Sequence, residues 1–154
     1  RSTQNELQAV MVYVIDTLRN SGLPNMNLNI ACAIAGNIKA ESDFNYTAVG
    51  DKGTSYGLCQ WHDHNRMTEL FKFCSKNNLS YSSPEGQIIF LVNELSTNYK
   101  SVYNSMIAIP NYNIGDMAIK FCEDFESPKD KQTVCPKRAS MARNVFEQYK
   151  RIKS

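Results

Sequence analysis

The sequence predicts a mainly helical (α+β) domain with a small β-hairpin insert after its second helix. Apolar residues recur at helical spacing along most of the chain. Helix-capping residues precede several of these stretches, and between residues 42 and 64 the helical pattern gives way to glycines and short polar residues. The 154 residues suffice for a single domain over residues 1–154 with a buried core, and such a domain can be cut from a longer multidomain protein.

The first two helices are marked by their ends and by their apolar spacing. Thr3-Gln4-Asn5-Glu6 has the pattern of a capping box, which predicts a helix over Leu7–Leu18. Glycine and proline near residue 23 end it. A second helix is expected over about Asn29–Glu41, where isoleucines recur every four residues. The small residues between them, including Gly36, permit close packing against neighbouring helices.

Turns and further helices follow the second helix. Gly50, Gly53 and Gly57, separated by polar residues, predict turns and a short hairpin. Ser83 as N-cap and a proline at the first helical position mark the start of another helix. The later helical patterns cover Arg66–Lys76, Pro84–Thr97, Ile114–Phe125 and Arg138–Ile152.

Composition excludes several classes of function. The 17 basic and 15 acidic residues give a net charge of +2, without the clustered lysine and arginine that nucleic-acid binding needs. No apolar run reaches the about 18 residues of a membrane span. The five cysteines are an odd number and too few for a disulfide framework, and because they contain no CxxC motif a zinc site is not expected either. We interpret most of them as buried thiols, and Cys122 and Cys135 are candidates for one bridge.

Glu41 is the first candidate for chemistry. It ends the second predicted helix, three residues after Ile38 and seven after Ile34, on nearly the same face. A carboxyl group at the edge of an apolar face is partly desolvated, which disfavours its charged form. A glycosidase needs such a protonated carboxyl to donate a proton to a leaving-group oxygen. The alternative is an ordinary solvated glutamate at a helix end.

Residues 41–62 carry a family resemblance. Glu41-Ser42, followed by Gly57-Leu58-Cys59-Gln60, resembles the lysozyme-like superfamily of goose-type lysozymes and soluble lytic transglycosylases, with cysteine in place of methionine. Thr54-Ser55-Tyr56-Gly57 with Gln60-Trp61-His62 is similar to the lysozyme domains of phage tail and tail-tip proteins. The later Phe121-x-x-x-Phe-Glu-x-Pro128 and Arg138-Ala139 are similar to the same phage group.

The resemblance implies a lysozyme-like fold whose hairpin follows the catalytic helix. It implies a muramidase that cleaves peptidoglycan between N-acetylmuramic acid and N-acetylglucosamine, without a cofactor, from a virion tail or outside the cell. A lytic transglycosylase and a non-catalytic wall-binding or tail module are the alternatives. The partner implied is the glycan strand of peptidoglycan. Other phage tail proteins or a covalently linked peptidase domain are further candidates, whereas nucleic acid and membrane are not expected.

The resemblance also assigns site residues. Glu41 is the expected general acid. The expected substrate contacts are Tyr56 and Trp61 against sugar rings, Gly57 to let the backbone approach the glycan, Gln60 to hydrogen-bond a sugar or a water, and His62 in the cleft wall. For Tyr56 and Trp61, packing in the core or the hairpin is the alternative, because the sequence does not show which way a ring faces.

The second catalytic group is expected in the hairpin. Asp51 follows Glu41 by ten residues, and a hairpin can fold back across a cleft toward a helix end. Thr54 and Ser55 are the alternative groups for orienting water. A carboxyl separation of about 5–5.5 Å would suit a retaining mechanism, and about 6.5–9.5 Å an inverting one.

Three other arrangements compete with the glycosidase hypothesis. His62 and His64 could suggest a metal, but no further ligand stands nearby, so we expect none. A Cys59–His62 peptidase pair is less economical than a packed thiol. Glu94 and Glu126 lie in or beside the later helical patterns, and we interpret both as structural carboxylates. Glu126 is expected to pair with Arg138.

Overall fold

The computed structural model describes residues 3–154, apart from the side chains of residues 63 and 64. A set of helices surrounds a common core and carries one small sheet, which confirms the mainly helical class. The helices are α1 (Gln4–Arg19), α2 (Leu28–Ser42), α3 (Asp63–Lys76), α4 (Pro84–Ser96), α5 (Lys100–Ile107), α6 (Ile114–Phe121), α7 (Lys131–Val134) and α8 (Arg138–Lys153). A π-helical turn, Cys122–Glu126, continues α6.

Two helix starts are capped as their sequences predict. At α1 the Thr3 hydroxyl accepts from the Glu6 N–H at 3.1 Å, and the Glu6 carboxylate accepts from the Thr3 N–H at 2.9 Å. This is the complete capping box. At α4 the Ser83 hydroxyl accepts from the Gly86 N–H at 3.0 Å, with Pro84 in the first turn. These caps satisfy backbone donors that have no partner within the helix.

Helix α2 is the centre of the molecule. Every residue from Ile30 to Ile38 is buried, and the helix packs against α1, α6 and α8. Its contact with α8 is close because Gly36 lies against the backbone of Ala142. A β-carbon added at Gly36 would stand 2.6 Å from the Ala142 Cα. Burial on all sides explains why the helix is rich in alanine and isoleucine and carries few charges.

The predicted hairpin is present and is extended by a third strand. Strands β1 (Val49–Gly50), β2 (Ser55–Tyr56) and β3 (Trp61–His62) form an antiparallel sheet in the order β1-β2-β3. Tyr56 pairs with Val49 on one side and with Trp61 on the other. The sheet lies between α2 and α3 in the chain, so it begins a few residues beyond Glu41.

Three helical details differ from the sequence predictions, the first of which is the short helix α7, which no sequence pattern predicted. Helix α5 was not predicted, because its short sequence lacks a capping side chain; its Val102, Tyr103 and Met106 are buried, so tertiary packing stabilises it. The helix predicted over Ile114–Phe125 is α-helical only to Phe121 and then widens into the π-helical turn. Such turns often occur at functional sites.

The cysteines are buried. All five are free thiols, as expected for small apolar residues of the core. Cys122 and Cys135, the candidates for a bridge, are both free and buried and form no disulfide. Over the described chain, no helix combines the length and the apolar character that a membrane span requires.

The close contact of α2 and α8 predicts the effect of a single methyl group. Gly36→Ala should lower the free energy of unfolding by about 1–3 kcal/mol, because the added carbon collides with backbone that cannot rotate away. Urea denaturation measures this change. The control is Asn144→Ala, an exposed position on α8, for which we expect a change within about 0.5 kcal/mol. Equal stability of the Gly36 variant and the wild type would contradict the packing argument.

Candidate active site

A cleft of about 780 Å³ lies where the end of α2, the sheet and the turn after α6 meet. Acidic and polar side chains from all three regions face it. Its lining residues are Glu41, Gly50, Asp51, Ser55, Cys59, Gln60, His62, Arg66, Glu126, Ser127, Pro128 and Lys129. The structure therefore brings Glu41 and Asp51 to one cleft, together with three of the expected substrate contacts.

Glu41 is held by a chain of polar contacts. Its Oε2 accepts from Nη2 of Arg138 at 3.2 Å, and the other terminal nitrogen of Arg138 donates to Oδ1 of Asn37 at 3.1 Å. Asn37 lies one turn before Glu41 and is fully buried. The Arg138 side chain is 8% exposed and that of Glu41 is 23% exposed. The glutamate is therefore oriented from the core side while its carboxyl group reaches the cleft.

Glu126 lies beside Glu41 in the cleft. It ends the π-helical turn and lines the same cleft. Burial raises the pKa of Glu126 well above its usual range, and the charge and hydrogen bond of Glu41 raise it further. The cations of Arg66 and Arg138 act in the opposite direction without reversing the shift. Glu126 therefore holds a proton well above the pH at which an ordinary glutamate ionises.

The predicted ion pair between Glu126 and Arg138 differs from the one in the structure. Arg138 makes its ion pair with Glu41, and its charge acts on Glu126 as well. The sequence therefore predicted that Arg138 and Glu126 lie close together, but it did not predict that Glu126 interacts with Glu41.

Asp51 lies in the turn between β1 and β2 and forms a cluster with Ser55 and His62. The Ser55 hydroxyl donates to Oδ2 of Asp51 at 2.5 Å and lies 2.8 Å from Nδ1 of His62. Nδ1 of His62 is also 3.4 Å from Oδ2 of Asp51. Ser55 is buried, whereas the side chains of Asp51 and His62 are 66% and 59% exposed. The buried hydroxyl thus fixes the direction of an aspartate that remains open to the cleft.

Gln60 lines the cleft, but much of its hydrogen-bonding capacity is used within the sheet region. Its amide nitrogen donates to the carbonyl oxygens of Ala48 at 3.1 Å and Gly57 at 2.9 Å. Thr54 is exposed, and its hydroxyl donates to the Asp51 carbonyl at 2.7 Å. Gly57 adopts φ +83° and packs against the Gln87 amide, away from the cleft lining. Their contacts with substrate stay predictions.

The two aromatic candidates contact other aromatic rings. Tyr56 makes edge contacts with Phe71 and Tyr81 and does not belong to the cleft lining. Trp61 is 1% exposed and packs edge-on against Phe90, with ring centroids 5.5 Å apart. These positions correspond to the packing alternative considered from the sequence.

Trp61 also belongs to a buried polar network behind the cleft. Its indole N–H donates to Oε1 of Glu94 at 2.7 Å, and Arg66 donates to both carboxylate oxygens of Glu94. The Arg66 guanidinium stacks between the rings of Tyr99 and Phe125, 4.4 Å from each centroid. Glu94 is thus a structural carboxylate, and Arg66 reaches the cleft from this network.

The surroundings of Cys59 disfavour a role as a catalytic nucleophile. Burial raises the pKa of the Cys59 thiol well above its usual range, and nearby carboxylates add to the shift. The thiolate that a nucleophile requires is therefore disfavoured. Among the described side chains, no group of three or more His, Cys, Asp and Glu could hold a metal ion. His64, the other histidine considered for a metal, lies outside the described side chains.

Comparison with known families agrees with the geometry of the cleft. The family model described as phage tail lysozyme matches residues 9–149, which is nearly the whole chain. The chain belongs to the phage tail lysozyme family. A comparison with curated proteins finds no significant match.

Membership of the phage tail lysozyme family defines the coarse role of the chain. The fold is lysozyme-like and mainly helical, with the three-stranded sheet inserted after the helix of Glu41. The role is lysozyme-like degradation of peptidoglycan by glycosidase-type chemistry, carried out at the cell wall by a virion or extracellular protein.

Sequence reasoning missed Glu126 as a member of the cleft. The signal that could have found it is the segment Phe125-Glu126-Ser127-Pro128, which was noted for its similarity to the phage lysozymes. That similarity did not show that the glutamate turns toward Glu41. Lys129 was missed as well, and nothing in its sequence neighbourhood distinguishes it from other surface lysines.

The buried network of Trp61 predicts a stability effect. Trp61→Phe should lower the free energy of unfolding by about 1–3 kcal/mol, because buried Glu94 loses a charge-assisted hydrogen bond. Urea denaturation is the measurement. Tyr112→Phe, at a side chain 85% exposed, is the matched loss of one polar group and should stay within about 0.5 kcal/mol of wild type. A wild-type stability for the Trp61 variant would show that the indole N–H contributes nothing.

Proposed function

We propose that the chain is a muramidase that hydrolyses the bond between N-acetylmuramic acid and N-acetylglucosamine and serves phage penetration of the bacterial wall. The observation that carries the proposal is that Glu41, from the end of α2, and Asp51, from the turn between β1 and β2, line one cleft in a member of the phage tail lysozyme family. Two carboxyl groups on one cleft are the usual requirement of glycoside hydrolysis.

Glu41 is the group suited to act as the acid. Arg138 and Asn37 hold it in one direction, and it is still accessible from the cleft. In the proposed reaction the proton of Glu41 passes to the glycosidic oxygen while the bond to the anomeric carbon breaks. The leaving sugar takes that proton as a new hydroxyl group, and positive charge develops on the remaining ring.

Water completes the proposed reaction. Asp51 is exposed to the cleft and held by Ser55, so its carboxylate can orient a water or face the developing positive charge. The hydroxyls of Thr54 and Ser55 are the alternative groups for water. In a lytic transglycosylase, the 6-hydroxyl of the muramic acid would attack in place of water and give a 1,6-anhydro ring.

Glu41→Gln tests the acid. Clearance of purified cell walls should fall by at least about a hundredfold, because glutamine keeps the shape of the side chain but has no proton to give. The control is Glu69→Gln, an exposed glutamate on α3 away from the cleft, which should clear walls at the wild-type rate. Thermal unfolding of both variants verifies folding. Clearance by a folded Glu41 variant at the wild-type rate would overturn the proposed function.

The products decide between the two wall-cleaving reactions. Mass spectrometry of peptidoglycan digested by the wild-type chain should detect reducing muramic acid ends. Products with only 1,6-anhydro ends would identify a transglycosylase and overturn hydrolysis.

Asp51→Asn tests the second carboxyl group. Hydrolysis should fall by about a hundredfold, because asparagine keeps the contact with Ser55 but loses the charge that supports the attacking water. Release of reducing ends from cell walls is the measurement. Asp43→Asn is the control, since asparagine tolerates the left-handed backbone at this exposed helix end. A larger loss in Thr54→Ala or Ser55→Ala than in Asp51→Asn would assign the water to the hydroxyl groups.

A further inference from the structure

The reaction assigned to Glu41 and Asp51 leaves Glu126 without a role. Glu126 nevertheless lines the same cleft as Glu41, and the charge and hydrogen bond of Glu41 add to the burial that raises the pKa of its carboxyl group. Two carboxylates cannot donate hydrogen bonds to each other, so this contact requires a proton on one of them. The pair therefore carries one proton when the hydrogen bond is formed.

The surrounding charges favour a single proton on the pair. Arg138 forms its ion pair with Glu41, whereas Arg66 is bound by the buried carboxylate of Glu94. With one proton, the charge of the pair is −1, which Arg138 balances. Loss of that proton would leave a second negative charge in a partly buried site whose arginines already have partners.

We propose that Glu126 is a positioning residue that shares one proton with Glu41, so that the pair supplies the acid of the reaction. This inference rests on the proposed function of Glu41. Glu126 acts through Glu41 and makes no contact with the scissile bond in this proposal.

The proposed proton transfer balances without a further reactant. The proton shared by Glu126 and Glu41 moves onto Glu41, and Glu41 passes it to the glycosidic oxygen as the bond to the anomeric carbon breaks. Both carboxyl groups are then ionised. The water that attacks the anomeric carbon releases one proton, which restores the shared state.

Titratable groups on each neighbouring region face the pair. Arg138 on α8 and Arg66 on α3 contribute cations, and Cys59 before β3 and Cys122 on the π-helical turn contribute thiols affected by the charge of Glu126. Both thiols have raised pKa values because they are buried, so they stay neutral.

The far part of the cleft adds three more titratable groups. Asp51 and His62 line it from the sheet, and Lys129 follows the turn. Asp51 and His62 are bound to each other through Ser55, and their charges are largely open to solvent. Solvent screens these charges, so the pair itself should set the alkaline limb of the pH profile.

Glu126→Gln tests the shared proton. The alkaline limb of the kcat/KM profile on soluble peptidoglycan fragments should move by about one pH unit or more to lower pH. The reason is that a lone carboxyl group then faces Arg138 without an acidic neighbour. A structural role alone would lower the rate at every pH and leave the limb in place; that outcome would overturn the inference.

Glu123→Gln is the matched control, because this half-buried glutamate lies on the same turn outside the cleft. Its alkaline limb should coincide with that of wild type. Glu126→Asp keeps a titratable carboxyl group, so the pH of its alkaline limb should lie close to that of wild type. If the alkaline limb of Glu126→Asp moved to lower pH as far as that of Glu126→Gln, the result would contradict the shared proton.

Carboxyl-carbon NMR tests the shared proton on the wild-type chain, so the result does not depend on the folding of a variant. The Glu41 and Glu126 resonances should each respond to both protonation steps of a coupled pair. Independent titration of the two residues would overturn the inference. An active Glu41→Gln chain would instead refute the proposed function, so the two failures are distinguishable.

Discussion

The burial of α2 on all sides is the constraint on which the rest of the structure depends. A helix packed against three others can carry almost no charge along its length, so its polar groups must be satisfied internally. Asn37 donates to two backbone carbonyls and accepts from Arg138, and Arg138 continues to Glu41. Glu41 at the end of the helix is therefore oriented by the same contacts that allow the helix to be buried.

The cleft places carboxyl groups in two different environments. On the helical side, Glu41 and Glu126 share a partly buried space with arginines, where charge is costly and a proton is retained. On the sheet side, Asp51 is largely exposed and fixed only through Ser55 and His62. The cleft therefore holds a buried carboxyl group, Glu126, whose pKa is raised, and an exposed aspartate, and the proposed glycoside hydrolysis uses carboxyl groups in such unequal environments.

Local signals predicted most of the helices and the insert. The capping box at Thr3 and the Ser83-Pro84 start involve residues close in sequence, so their contacts form whatever the rest of the chain does. Helix α5 has no such signal and depends on three buried side chains. The orientation of Trp61 was also undecided, because β3 has only two residues and alternation over so short a strand does not reveal the buried face.

Sequence alone singled out Glu41 and Asp51 as candidates, because a helix end, a glycine-rich hairpin and a motif lie within about twenty residues. The partners of Glu41 come from the other end of the chain. Arg138 is 97 residues away, and Glu126 lines the cleft from the last position of the π-helical turn that follows α6. Such contacts arise from the packing of α6 and α8 on α2, and no pattern local to either residue encodes the distance between them.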